Sequence, residues 1–276
     1  MNVTESYAWC EGVARAQAKN FYYSFLLLSK PKRNAMCAMY AFMRYCDDLS
    51  DDEGIPDRAA AIARWRGDLE EALAGRAGEH PMWPAFMDAV ARYQIPHEYF
   101  FDMIEGVSSD LEPRRMQTFA ELYDYCYHVA SVVGLTVVHI FGFESPKALE
   151  LAEKCGIAFQ LTNILRDVQE DAGKNRVYLP AEDFARFGVS ADTLEPRDKF
   201  VALMEFEAWR ARAYYRDSAP LVELVHAGSR SSLRALIGIY SRLLDRIVAS
   251  GYDVLARRIR VPTWEKIWVL ARSVIA

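Results

Sequence analysis

The stretch AFQLTNILRDVQED, residues 158–171, limits the fold more than any other part of this chain. It holds no Gly or Pro, and its apolar residues return at helical spacing, so the pattern predicts an α-helix. Gln160, Asn163, Asp167 and Asp171 return at helical spacing too, in a stripe about 80° wide at roughly 100° per residue. Beside that stripe lie Ile157, Leu161, Ile164 and Val168, side chains that belong against a core. A helix that turns two carboxylates and two amides toward its apolar side needs something there for them to bind.

A second surface of this kind lies upstream in AMYAFMRYCDDLSDD, residues 38–52. With Tyr40 as origin, Arg44, Asp47 and Asp51 fall within about 40° of it, at i, i+4, i+7 and i+11. Asp48 sits at the edge of the stripe and Asp52 turns further away. Paired carboxylates one turn apart repel by a few tenths of a kcal/mol even in water, and the cost grows beside an apolar face. A hard divalent cation bound by oxygen ligands removes it. Mg²⁺ keeps several waters and takes one or two carboxylates plus phosphate oxygens, so two facing D-x-x-x-D helices can hold several Mg²⁺ ions against a diphosphate. Neither pair supplies His or Cys, which disfavours structural zinc. One such motif alone reads as a solvated helix end; two, each sharing its stripe with amide, Tyr or Arg groups, read as a binding site.

Helical signals dominate elsewhere, and no alternating strand stands out. Breaks at 29–32, 52–57, 74–81, 94–98, 112–115, 143–148, 172–180, 194–198, 226–229 and 260–264 leave helical lengths of roughly 10 to 28 residues with short connectors. Ser145-Pro146 resembles a helix start, with a capping hydroxyl and Pro in the first turn. No Ser/Gly linker or fixed-period repeat divides the chain, which predicts one all-α domain over residues 1–276. The longest apolar run, VASVVGLTVVHIFGF (129–143), falls short of the ~20 residues of a membrane span and reads as a buried core helix. A net charge of −5 and the absence of a basic patch argue against nucleic acid. Five scattered cysteines with no CxxC pair, and an N-terminus unlike a signal peptide, point to a cytoplasmic protein with reduced thiols.

With these motifs on the page, the chain resembles the squalene/phytoene synthase family of head-to-head prenyl transferases. The resemblance rests on AKNFYYSFLLL (18–28), MYAFMRYCDDLSDD (39–52), YDYCYHVASVVG (123–134), FQLTNILRDVQEDAGKNRVYLP (159–180) and SGYDVLARRIRVP (250–262). It implies an all-α isoprenoid synthase bundle with a central apolar tunnel, in which acidic motifs on facing helices bind Mg²⁺ and diphosphates. By that resemblance Asp47, Asp48 and Asp51 form the first metal motif, and Asn163, Asp167 and Asp171 the second, with Gln160 one turn earlier. Tyr40, Arg44, Lys19, Arg166, Arg176 and Tyr178 match positions that contact or orient diphosphate, while Phe21 and Tyr127 match the chamber lining. Two departures stand out: Gln17 and Asn20 occupy positions where many relatives carry His and Ser, and Gln169 replaces a common Gly on the side away from the acidic stripe.

The implied chemistry is ionisation of an allylic diphosphate by neutralisation of the leaving group, in a dry apolar chamber that protects the cation from water. A second prenyl diphosphate attacks C1, and proton loss closes a cyclopropane. CDDLSDD and FYYSFLLL look more like bacterial squalene-pathway enzymes acting on two farnesyl diphosphates; phytoene synthase, using geranylgeranyl diphosphate, is the close alternative, followed by dehydrosqualene synthase. A one-substrate class I terpene cyclase fits NILRDVQED less well, and a non-catalytic helical assembly protein would not need to keep Asp47, Asp51, Asn163, Asp167 and Asp171. No Gly-rich dinucleotide fingerprint marks an NADPH site. Gly134 fits a close helix approach. His128, His139 and His226 lack ligand spacing. Arg257, Arg258 and Arg260 read equally as a diphosphate cover or a solvated helix end. The amphipathic C-terminus, WEKIWVLARSVIA, is expected to pack on the bundle, with transient membrane contact as the second reading. Other enzymes of the isoprenoid pathway are candidate partners.

Overall fold

The computed structural model describes residues 1–18, 21–52 and 54–275. Helices make up the architecture; among the described residues β-pairing is confined to two isolated bridges, Arg115 with Val177 and Phe143 with Val225. The breaks read from the sequence fall at the helix ends. Lys30–Asp51 starts at the SKPK break with Ser29 as its N-cap and Pro in its first turn, and Lys147–Gly173 spans the interval between two others. The Ser145-Pro146 start is displaced by one residue: Pro146 is the N-cap, while the Ser145 hydroxyl accepts from the Lys147 amide at 3.4 Å and its carbonyl from the Ala148 amide at 2.9 Å. Two short helices, Ala181–Phe187 and Leu221–Leu224, were not separable by pattern because neither is long enough to show a period.

Two buried clusters support the two acidic helices. Opposite the Tyr40/Asp47 stripe, Phe42 stacks on Phe86 (4.8 Å between centroids) and meets Phe100 edge-on at 5.5 Å, while Trp65 stacks on Trp83 at 4.6 Å. Tyr40 and Phe42 are two residues apart, about 200° on a helix, so the packing face and the polar face of Lys30–Asp51 are opposed. The second acidic helix buries Ile157, Leu161, Ile164 and Val168 as expected, and it packs along Arg197–Ser218. Its other neighbour is Val132–Phe141, which continues from Phe119–Cys126 through a π-helical turn at Tyr127–Ser131. The whole stretch Phe119–Phe141 is helical over 23 residues, long and apolar enough by length and composition to cross a membrane, longer than the apolar run alone indicates; 56% of its most apolar window is buried in the bundle.

Glycine makes this central contact close. A Cβ on Gly134 would lie 2.9 Å from the Ala152 carbonyl oxygen, and one on Gly156 would lie 2.6 Å from the Ser131 Cα. Side chains at either position would force the two helices apart, and both helices line the same cavity.

Candidate active site

That cavity, about 580 Å³, explains the polar stripe on an apolar helix side. Tyr40, Arg44, Asp47 and Asp51 reach it from Lys30–Asp51, and Gln160, Asn163, Arg166, Asp167 and Asp171 reach it from Lys147–Gly173. Arg176 and Tyr178 enter from the segment after the second helix, and Phe21 from the short helix Phe21–Phe25. The remaining wall is apolar, formed in part by Val133, Val137 and Val138 of the central helix and by Leu233 and Leu236 of Ala227–Ala249.

Two expected residues stand elsewhere. Asp48 is outside the lining, ion-paired to Arg44 one turn before it on the helix edge. Tyr127 also misses the cavity: the π-helical turn shifts the register there, so Val129 and Ala130 line the wall and Tyr127 meets His128 edge-on at 5.4 Å. Lys19 lies outside the described residues, as does Asn20. Gln169 is exposed and off the cavity, as its place on the helix predicts.

The carboxylates fall into two kinds. Asp51 accepts from Lys174 Nζ at 3.1 Å and from Arg176 Nη1 at 3.2 Å. Burial pushes the Asp51 carboxyl up, but these two cations outweigh it and hold it below the usual range. Asp167 is bracketed by Arg166, whose Nε donates at 2.8 Å, and by Arg258 at 3.1 Å; Arg258 also pairs with Glu170 at 2.7 Å. Asp47 and Asp171 have no ion pair among the described residues. Burial pushes each up to about 7, and carboxylate neighbours, Asp51 for Asp47 and Asp167 for Asp171, add to the shift against the nearby arginines. Asp47 does touch solvent, but through the cavity it lines; its enclosure by protein on the other sides governs the shift.

Sequence reasoning missed the residue that ties these parts together. Asp110 accepts from Tyr178 at 2.8 Å and Tyr125 at 2.9 Å, while its backbone carbonyl accepts from Arg176 Nη2 at 2.8 Å. Tyr125 and Tyr178 stack at 4.7 Å. Arg176 is thereby strung between Asp110 and Asp51, and the loop after the second helix is fixed against the first. Asp110 sits in a one-turn 3₁₀ segment, Ser109–Leu111, with no motif around it to mark it. Tyr240 was missed as well; it stacks on Phe159 at 4.3 Å and meets Phe21 at 5.4 Å inside the cavity wall. Of the basic run, Arg258 alone joins the site, whereas Arg257 pairs with Asp253 at 3.4 Å and Arg260 is exposed. His128, His139 and His226 stay outside the cavity.

The donor set fits Mg²⁺ in kind. One carboxylate of each acidic motif lacks a cation, and the buried Asn163 Oδ1, on a cavity-lining residue, has no hydrogen-bond partner among the described residues. No three carboxylate, His or Cys groups among the described residues converge tightly enough to chelate an ion unaided. Mg²⁺ asks for less than that, since phosphate oxygens and water complete its shell.

An all-α bundle with acidic helices facing across one cavity, polar on their side and apolar on the other, is an isoprenoid synthase fold. Within that class, the chain belongs to the squalene/phytoene synthase family, whose profile matches residues 14–265. It is 36% identical over 282 residues to a 15-cis-phytoene synthase of Synechococcus elongatus, covering 96% of this chain and 91% of that protein. It is 38% identical to the chloroplastic phytoene synthase 3 of Zea mays, covering 96% of this chain and 64% of the maize protein. Among solved structures, a dehydrosqualene synthase in complex with ligand superposes with a TM-score of 0.92 at 31% identity, over 99% of this chain and 96% of that one. A squalene synthase from Alicyclobacillus acidocaldarius gives 0.83 at 28%, over 90% and 95%.

Proposed function

We propose that the protein joins two prenyl diphosphates head to head, 1′ to 1, in a Mg²⁺-dependent reaction that releases diphosphate. The observation carrying this reading is the pair of facing acidic helices, each with one unpaired carboxylate, at the polar wall of an apolar cavity. Bound Mg²⁺ would be held by Asp47 and Asp51 on one side and Asn163, Asp167 and Asp171 on the other, and would neutralise charge on the departing diphosphate. Arg44, Arg166, Arg176 and Arg258 then supply the remaining positive charge from the protein, released from their carboxylate partners as phosphate oxygens take over. Gln160 orients Asn163, whose Nδ2 approaches Gln160 Oε1 at 3.4 Å.

The C1–O bond of one substrate breaks, leaving an allylic cation and diphosphate. The double bond of the second substrate then forms the new bond to C1, and loss of a proton closes a cyclopropane. Apolar walls keep water from the cation. The phenols act as hydrogen-bond donors rather than bases: burial pushes Tyr40 and Tyr240 up to about 12 and Tyr125 and Tyr178 further in the same direction. The released diphosphate is then the available proton acceptor. Tyr40 and Tyr178 keep an orienting role in this scheme, and Tyr125 replaces Tyr127 at the cavity wall.

For chain length, the phytoene synthases among the relatives favour geranylgeranyl diphosphate and a C40 product. The farnesyl reading drawn from CDDLSDD and FYYSFLLL stands as the second, supported by the similarity to a dehydrosqualene synthase. Continuation beyond the cyclopropyl diphosphate, with or without NADPH, belongs to the same test. Buried, unpaired cysteines at all five positions support a reducing, cytoplasmic setting. Purified protein with Mg²⁺ and each substrate, with and without NADPH, should yield a C40 or C30 product by mass spectrometry. Asp51→Ala and Asp167→Ala should each lower its yield by about tenfold or more. Folded protein that releases no diphosphate from either substrate refutes the proposal.

A further inference from the structure

The C-terminal helix, Thr263–Ile275, packs inside out. It does pack on the bundle, as expected, but through Glu265, Lys266, Val269 and Ser273, all under 9% exposed. Glu265 accepts from Arg246 Nη1 at 2.5 Å, and the Lys266 ammonium sits 5.4 Å over the Tyr23 ring. The Val269 side chain fits against Gly238, where a Cβ would come within 2.8 Å of it. What faces outward is apolar: Trp264 is 67% exposed, Ile267 56%, Trp268 42% and Ile275 87%, at i, i+3, i+4 and i+11, with Val274 beside them. Leu26, 45% exposed, follows the helix Phe21–Phe25 on which this one also rests. Most of the chain's exposed large apolar side chains thus gather on one face, and such a patch marks a surface that meets something apolar.

Charge identifies what that is. The Arg242 and Arg272 guanidiniums lie 5.3 and 4.8 Å from the Trp268 ring centroid, and neither forms an ion pair among the described residues. The helix carries no acid on its outer face. A second copy meeting this face about a two-fold axis would set these guanidiniums against their own kind, with no carboxylate on the face to answer them. Anionic lipid headgroups supply that answer, while Trp rings settle at the boundary between headgroups and acyl chains. At 1.5 Å per residue the helix is about 20 Å long, too short to span a bilayer and suited to lie in its plane. We infer that the face formed by Trp264, Ile267, Trp268 and Ile275, flanked by Arg242 and Arg272, docks this protein on the surface of a bilayer containing anionic lipid.

The docking face rests on Phe21–Phe25 and Ala227–Ala249, the same elements that bring Phe21, Leu233, Leu236 and Tyr240 to the cavity. A docked protein therefore holds that wall of the chamber next to lipid. The inference stands on the surface alone and does not depend on which reaction the cavity performs.

Co-sedimentation of the full chain with phosphatidylcholine vesicles, with and without phosphatidylglycerol, tests it. The wild type should pellet with the anionic vesicles and be released by salt. Trp264→Ala/Trp268→Ala should reduce the bound fraction by about tenfold or more, and Arg242→Gln/Arg272→Gln should remove the preference for phosphatidylglycerol. All these residues lie outside the cavity, so thermal melting and diphosphate release without vesicles should match wild type. Should the double Trp variant fold poorly, Ile267→Glu gives the same readout from one exposed position. Wild type left in the supernatant with both vesicles overturns the inference, as does wild-type binding by the variants. A dimer in sedimentation velocity that the Trp variant dissolves would also overturn it, because a second copy would then cover the face.

Discussion

The two acidic helices carry the same D-x-x-x-D spacing but neutralise it differently. On Lys30–Asp51 the paired carboxylate is Asp51, and its partners Lys174 and Arg176 come from beyond the end of the other helix. On Lys147–Gly173 the paired one is Asp167, held by its chain neighbour Arg166 and by Arg258. Each motif leaves one carboxylate without a cation among the described residues, Asp47 in one case and Asp171 in the other. The first motif thus ties the two sides of the cavity together, whereas the second is largely held from its own side. The cations that hold Asp51 and Asp167 can move onto a diphosphate, whereas Asp47 and Asp171, which have none, are poised for a metal ion.

Removing the unanswered carboxylates should have the largest effect. Asp47→Asn and Asp171→Asn are each expected to lower product formation by about 10²- to 10³-fold while raising the melting temperature in EDTA, because each removes a carboxylate crowded by other carboxylates and without a cation. A fall in stability for either variant would end the distinction between the two kinds of carboxylate. Arg176→Gln comes next. It breaks the guanidinium that bridges Asp51 and Asp110, so the loss of activity should exceed that of Arg258→Gln, whose role is confined to the second motif. Equal losses would show that the bridge between helices has no special part.

The pH dependence sharpens the same point. In the metal-free protein, Asp47 and Asp171 titrate near 7 rather than near the ordinary 3.8. The stability tied to their retained protons is complete below the unfolded value and is lost as pH rises through about 7. Mg²⁺ competes with those protons, so the rise in melting temperature on adding Mg²⁺ with inorganic diphosphate should be small near about pH 6 and larger near about pH 8. In Asp47→Asn/Asp171→Asn that pH trend should disappear. A shift equal at both pH values in the wild type would contradict the raised pKa values. The smallest effect belongs to Lys174→Gln: the Lys174–Asp51 pair is about 40% exposed on both sides, so its loss should cost at most about 1 kcal/mol in denaturant melts.

Much of the site could be read from spacing because both stripes lie on unbroken helices, where position fixes direction. Tyr40, Arg44, Asp47, Asp51, Gln160, Asn163, Asp167 and Asp171 all reach the cavity for that reason. The failures coincide with departures from that regularity. Tyr127, placed at the chamber by resemblance rather than by spacing, sits in a π-helical turn, and Asp48 sits at a stripe edge where an ion pair with Arg44 decides its direction. Asp110, Tyr125 and Tyr240 come from separate elements and meet only through packing. The C-terminal helix shows the same limit: its amphipathic pattern was legible, but which face turned inward was not.

The sequence by itself determined the all-α class, the helix breaks, the two facing-type acidic motifs and the family, because helical periodicity and local chemistry are written within a few turns of chain. Only the tertiary structure decided which carboxylates found cations, that Asp110 anchors Arg176 and Tyr178, and that Trp264 and Trp268 face outward. Those outcomes depend on contacts between residues far apart in the chain, and their directions are set by packing such as Gly134 against Ala152 and Gly238 against Val269.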